Sequence, residues 1–321
     1  MEDERGSDEE PETDPASDPG IGRESDQGLP LEADHDSDGR RRFPRRVDEE
    51  LRGTFLKTVD EAQRRLSRSW PTLLATGAVG GIDVGVGVLA LLLVREGTGS
   101  DLLGALAFGI GFIALTLGRS ELFTENFLVP VAGVVAGKAT VGSTFRLWGG
   151  TAATNLLGGW ALMGLVSIGL PELHEVAVEV GSHYPELGIG ATSFASAILG
   201  GTAITLMTWM ERGADSVGAK VVAAATIAFV LASGRLNHAI VVSLEMFAAL
   251  HFGAPFGYAD WLGMASWAAL GNAVGGLALV TILRLVQIGR TVVDDERRRP
   301  ANEPRPGQPE PRQPGSTNSS G

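Results

Sequence analysis

The fold turns on two stretches, TLGRSELFTENFLVPVAGVVAG (116–137) and ASGRLNHAIVVSLEMFAALHFG (232–253). They align without a gap at an offset of 116, which sets Gly118-Arg119 on Gly234-Arg235 and Gly137 on Gly253. In each, an apolar run stops at a polar interruption, RSELFTEN (119–126) or RLNH (235–238), and then resumes. The runs before the breaks (102–118 and 221–234) and after them (127–137 and 239–252) are each shorter than the roughly 20 residues that span ~30 Å of hydrocarbon. Each pair therefore reads as one discontinuous crossing.

Outward from the breaks lie four uninterrupted apolar spans, 71–94, 147–170, 187–210 and 261–283, the last three without a single charged residue. With the two broken crossings they make six. The repeat extends into them. GAVGG (77–81) matches AILGG (197–201) at an offset of 120, and Asn155-x-x-Gly158-Gly159 matches Asn272-x-x-Gly275-Gly276 at an offset of 117. Three crossings per repeat make the second half enter the membrane from the opposite side, a plan typical of transport proteins whose pathway lies near the midplane. The reading is an all-α membrane protein of six transmembrane helices in two inverted three-helix repeats (70–170 and 187–290), with broken second and fifth helices. Lys and Arg lie before the first span, at Lys138 and Arg146, at Arg212 and Lys220, and after the last span, whereas 171–186 and 253–260 carry neither; the exception is Arg95, which stands beside Glu96 and Asp101 in the first external loop. This asymmetry predicts a multi-pass protein of the cell membrane with both termini cytoplasmic.

Composition agrees. The 321 residues include 44 Gly, and charged residues make up 20% but crowd the two ends, so an enzyme with one soluble core is excluded. The net charge of −12 comes mostly from the tails. Residues 1–46 read as a disordered acidic tail and 291–321, rich in Pro and polar residues, as a second disordered tail. Between tail and channel domain (70–290), residues 47–69 place Val47, Leu51, Phe55, Val59, Ala62 and Leu66 at helical spacing. That segment reads as an amphipathic helix on the membrane surface, or as a connector packed on the protein. Zero cysteines remove thiolate chemistry, and with no nucleophile–base or metal-ligand pattern, no catalysis, metal or cofactor is expected. Acidic tails argue against nucleic acid; the expected partners are lipid and a small solute.

The polar residues at membrane depth cluster in and beside the breaks: Arg119, Glu121, Thr124, Glu125, Arg235, Asn237, His238 and Glu245. Ionisable groups there are costly and face a partner or a wet cavity. The resumed half-helices turn free N–H groups toward the midplane, which favours anions. Arg119 and Arg235 are expected to pair with Glu121, Glu125 or Glu245 across the repeats. His238 exchanges a proton near neutral pH, and an anion that gains one crosses an apolar constriction uncharged.

ELFTEN (121–126) and SGRLNHAIV (233–241) resemble the two break motifs of the formate/nitrite transporter family, over roughly 55–290. The resemblance implies an aquaporin-like protomer, a homopentamer, and one pore per protomer for small monovalent anions or their conjugate acids. It implies that His238 is the central pore histidine, that Thr124 hydrogen-bonds near it, and that Leu122 and Phe123 share its loop. It sets Phe108 and Phe112 at one constriction and Val230, or Phe229, at the other. Asn237 stands where the family motif has Glu, and Arg235 where it has an aromatic residue. Two other readings stay open: a neutral-solute facilitator, and a non-conducting membrane scaffold.

Overall fold

The computed structural model describes residues 45–300. Of the expected tails, 1–46 and 291–321, residues 1–44 and 301–321 lie outside the described residues. The described chain is almost entirely helical. Helices α2 (Trp70–Thr98), α3 (Asp101–Gly118), α5 (Val141–Gly169), α7 (Ala191–Gly213) and the rod from α10 (Tyr258–Ala273) through a π-helical stretch (Val274–Ile282) to α11 (Leu283–Ile288) are long and apolar enough to cross a membrane. Helices α4 (Val129–Val135), α8 (Val217–Ser233) and α9 (Ala239–His251) are shorter. Large apolar side chains such as Leu106, Phe145, Leu165, Ile168 and Val222 stand exposed on the outer faces, as helices in lipid require. The chain is a multi-pass membrane protein.

Helix starts follow local chemistry. Ser69, Ser100, Thr140 and Ser216 cap α2, α3, α5 and α8 by accepting from the backbone N–H three residues on. The breaks come where each first half-helix ends in a left-handed residue, Arg119 (φ 55°) and Arg235 (φ 43°). That conformation costs energy for a residue with a Cβ, and it persists only where surroundings impose it.

The surroundings are visible. Asn155 on α5 donates through Nδ2 to Gly77 O (2.6 Å) and Glu121 O (2.8 Å), and its Oδ1 accepts from Phe123 N–H (2.8 Å). Asn272 on α10 donates to Ala197 O (2.7 Å) and Asn237 O (3.0 Å) and accepts from Ala239 N–H (2.9 Å). Every partner in the second set is the repeat equivalent of one in the first. Each asparagine thus ties a span and a break loop together, so the offsets of 116, 117 and 120 are one repeated hydrogen-bond device. Close approach makes it work: a Cβ on Gly81 would lie 2.0 Å from Asn155 O, and one on Gly201 2.2 Å from Asn272 O.

Helix α1 (Arg45–Leu66) begins two residues before the expected start. Its apolar face is taken up by protein: Phe55 and Val59 pack with Ala132, Ala136 and Val293, and Ala62 and Leu66 with Leu73, Val129 and Leu147. The face that reads as apolar in the sequence is thus covered by protein. The expected tail from 291 is corrected in part, because α12 (Arg290–Arg298) is a helix. Val293 anchors it against Phe55, Arg297 Nη2 donates to Val135 O (2.8 Å), and Lys138 Nζ donates to Arg299 O (2.6 Å). Composition registered the polar run and missed the two valines, Val292 and Val293, that fasten it.

Candidate transport site

The two break loops meet at a buried pair. Thr124, in the 3-10 turn Phe123–Phe127, lies with its Oγ1 2.6 Å from His238 Nε2. His238 caps α9, and its Nδ1 accepts from Val241 N–H at 3.4 Å. An Nδ1 that accepts carries no proton, so the neutral ring has its hydrogen on Nε2 and donates to Thr124. Neither residue is exposed.

Phe108, Phe112 and Leu122 share one buried apolar cluster with Leu231 and Val241, and Phe123 packs at its border. The Phe108 and Phe112 rings stand 5.5 Å apart, one helical turn from each other on α3. Expectation and structure part at the other constriction. Val230 is 43% exposed on the outer face, and Phe229 is half-buried and lines neither of the two cavities that flank this cluster. Leu231, about 100° further round α8, is the buried neighbour that faces inward. Asn237 is braced rather than open: its N–H donates to Ser196 Oγ (3.0 Å), its Nδ2 to Ser193 O (3.3 Å), and its Oδ1 is buried without a partner.

A cavity lies at each end of the cluster. One, of about 200 Å³, is lined by Leu91, Arg95, Asp101, Tyr184, Leu231, Arg235, Val241 and Glu245, among others. The other, of about 490 Å³, takes Leu115 and Thr116 from the far end of α3 and Val217 and Lys220 from the start of α8. From Leu102 to Leu115 α3 rises about 20 Å, and α8 runs the opposite way, so the cavities are separated by the layer holding Phe108 and Phe112. The larger cavity is strongly basic: Arg64, Arg65, Arg68, Arg119, Arg212 and Lys220 line it against Glu61, Glu125 and Glu211.

The ion pairs differ from expectation. Arg119 and Arg235 do not pair with the break carboxylates, because each sits at the end of a half-helix and lines a cavity instead. Arg235 Nη2 reaches Asp101 (3.0 Å), which also takes Arg95 (2.6 Å). The cation for the first break comes from α1. Arg65, 3% exposed, lies 3.0 Å from Glu121 and 3.5 Å from Glu125 and donates to Asn126 Oδ1 (3.0 Å), while Arg68 also bonds Glu121. Glu61 completes the group at 3.0 Å from Arg65. Burial pushes the Glu61 carboxyl up, but Arg65, Arg64 and Arg212 outweigh it and hold it down to about 2. Glu245 accepts from the Tyr184 hydroxyl. Arg65, Arg68, Tyr184 and Glu211 were not legible as site residues. The spacing of Glu61, Arg65 and Arg68 marks one helix face, but nothing in it points to a loop some 60 residues away.

Known proteins share this architecture. Residues 52–286 match the family model described as formate/nitrite transporter. The inner membrane protein YfdC of Escherichia coli (strain K12) is 29% identical over 279 residues, which is 83% of this chain and 84% of the relative. The uncharacterized transporter YrhG of Bacillus subtilis (strain 168) is 24% identical over 241 residues, 71% of this chain and 89% of the relative. Among solved structures, an FNT family ion channel aligns with a TM-score of 0.64 at 20% identity, covering 71% of this chain and 96% of that one. A pentameric formate channel with formate bound aligns with a TM-score of 0.56 at 21% identity, covering 67% and 95%. Matched over most of its length, and with the fold of those channels, this chain belongs to the formate/nitrite transporter family.

Proposed function

We propose that the protein is a membrane passage for small monovalent anions or their conjugate weak acids, with transport rather than catalysis as its work. The observation that carries this reading is the buried Thr124–His238 pair set between two cavities, one of them strongly basic. The excess of basic over acidic side chains in its lining, six against three, raises the local concentration of an anion at that mouth. Phe108 and Phe112 then oppose a charged species, so passage favours the solute that has gained a proton. His238, neutral and bonded at both ring nitrogens, is the titratable group of this buried layer and exchanges that proton.

In the same reading α3 with α4 forms the second crossing and α8 with α9 the fifth, in two repeats of opposite sense. The basic cavity and both termini face the cytoplasm, as the distribution of Lys and Arg in the loops favours. The exposed apolar faces meet lipid and identical subunits, and the pentameric formate channel among the structural neighbours supports a homopentamer. Flux of formate, nitrite, acetate and hydrosulfide against glycerol into proteoliposomes tests the reading, with His238→Ala beside the wild type. Weak-acid flux that rises toward low pH and falls sharply in the variant is expected. Glycerol flux without anion flux would replace it with a neutral-solute facilitator. A folded oligomer that moves nothing would replace it with a scaffold.

A further inference from the structure

The smaller cavity holds a titratable group that the passage just described does not use. Glu245 lies on α9 seven residues after His238, hence on the same face and about 10 Å along the axis. Val241, between them, lines the cavity, and its N–H is the one bonded to His238. The Glu245 side chain is nearly buried, and no Lys or Arg lies within ion-pair reach of it among the described residues. Its polar contact is the hydroxyl of Tyr184. Helix α6 (His174–Leu187) brings that hydroxyl in by packing tightly on α9 at Gly181, where a Cβ would lie 2.8 Å from Glu245 O.

The other charged groups facing the cavity are committed elsewhere. From α2, Arg95 pairs with Asp101 (2.6 Å) and Glu179 (2.6 Å). From the second break, Arg235 pairs with Asp101 of α3 (3.0 Å). From α6, His183 is pushed below its ordinary 6.5 by burial and by Arg235, so it adds little positive charge at neutral pH. Helices α5 and α10, which also pack on α9, contribute no charged side chain to the cavity lining. A lone carboxyl at membrane depth that opens on a cavity, with a hydroxyl as its partner, has the setting of a proton relay and not of a fixed charge.

We propose that Glu245 is a proton donor of the transport path, handing its proton to an anion seated on Val241, with Tyr184 as the positioning residue that holds its carboxyl. The step breaks the O–H bond of Glu245 and forms one on the anion. The carboxylate left behind keeps the Tyr184 hydrogen bond and takes its next proton from the bathing solution, relayed through water in the cavity. No electrons change hands. The inference rests on the weak-acid reading and adds to it a second proton source, about 10 Å along α9 from His238.

The test uses the full-length protein and two readouts. Infrared difference spectra between mildly acidic and mildly alkaline buffer report the carboxylic-acid carbonyl stretch directly. An internal pH dye in proteoliposomes under an inward formate gradient reports formate-coupled proton uptake. Glu245→Gln is expected to remove one carboxylic-acid band and to lower coupled uptake by at least about tenfold, with partial recovery in Glu245→Asp. Tyr184→Phe keeps the carboxyl and is expected to shift both the band and the pH midpoint of uptake. An unchanged spectrum in Glu245→Gln, or wild-type coupled uptake, overturns the proposal. Should that variant lose its folded oligomer, an unshifted band and midpoint in Tyr184→Phe overturn it instead. Absence of formate flux in the wild type would sink the weak-acid reading, and proton donation to an anion with it. A Glu245 band would then show a proton-binding site unconnected with transport.

Discussion

Replacing Arg65 by Met removes the cation that serves three carboxylates at once while keeping most of the side chain's volume. Arg65 is 3% exposed and lies 3.0 Å from Glu61, 3.0 Å from Glu121 and 3.5 Å from Glu125, with a further bond to Asn126 Oδ1 at 3.0 Å. Breaking a buried pair by removing one partner costs about 3–5 kcal/mol, since the other charge is left without compensation. At roughly 2–4 °C per kcal/mol for a domain of this size, the melting point should fall by about 10 °C. The assay is thermal unfolding in detergent micelles followed by tryptophan fluorescence. Trp148 is a local reporter, because its Nε1 donates to Asn126 O at 2.7 Å. Adding Glu121→Gln and Glu125→Gln to Arg65→Met should recover much of the loss, because no buried carboxylate of the break then lacks its cation. A fall of less than about 2 °C, or no recovery in the triple variant, would refute the assignment of α1 as the clamp on the first break.

The same clamp carries a pH signature. Glu61 is held at about 2 against an ordinary 4.5, so its ionisation contributes stability above about pH 4.5 that is lost as the pH falls toward 2. Melting points should therefore drop between pH 5 and 3, and Glu61→Gln should flatten that drop. At the repeat contact, Gly81→Val or Gly201→Val inserts atoms where a Cβ alone would meet carbonyl oxygens at 2.0 or 2.2 Å, so neither variant should yield a folded oligomer on size-exclusion chromatography. Thr124→Val removes the hydroxyl 2.6 Å from His238 Nε2 and should lower weak-acid flux about tenfold and the melting point by about 5 °C, since a buried N–H loses its acceptor. Phe112→Ala takes a fully buried ring out of the layer between the cavities. It should raise flux of larger acids relative to formate while costing about 3 kcal/mol of stability.

Much of the architecture is legible without coordinates because hydrocarbon imposes a length and forbids unsatisfied backbone. Apolar runs of span length, runs that stop halfway, and a repeat at offsets of 116 to 120 lead to broken helices in duplicate. Asn155 and Asn272 stand out as matched positions, and His238 and Thr124 stand out from polarity at the breaks and from the resemblance. What failed was the choice of partners. Arg119 and Arg235 look like the counterions of the break carboxylates because they are neighbours in sequence, yet a left-handed residue at a helix end turns each toward a cavity.

Residue order alone establishes a helical membrane protein with two equivalent interruptions, since hydropathy, run length and repetition are properties of the chain before it folds. Which group neutralises which is a matter of packing. Arg65 reaches Glu121 and Glu125 because the apolar face of α1 is buried on α4, α12, α2 and α5, and Tyr184 reaches Glu245 because Gly181 lets α6 close on α9. Ion pairs and hydrogen bonds act over about 3 Å, and which side chains come that close is set by the packing of whole helices, not by their distance along the chain.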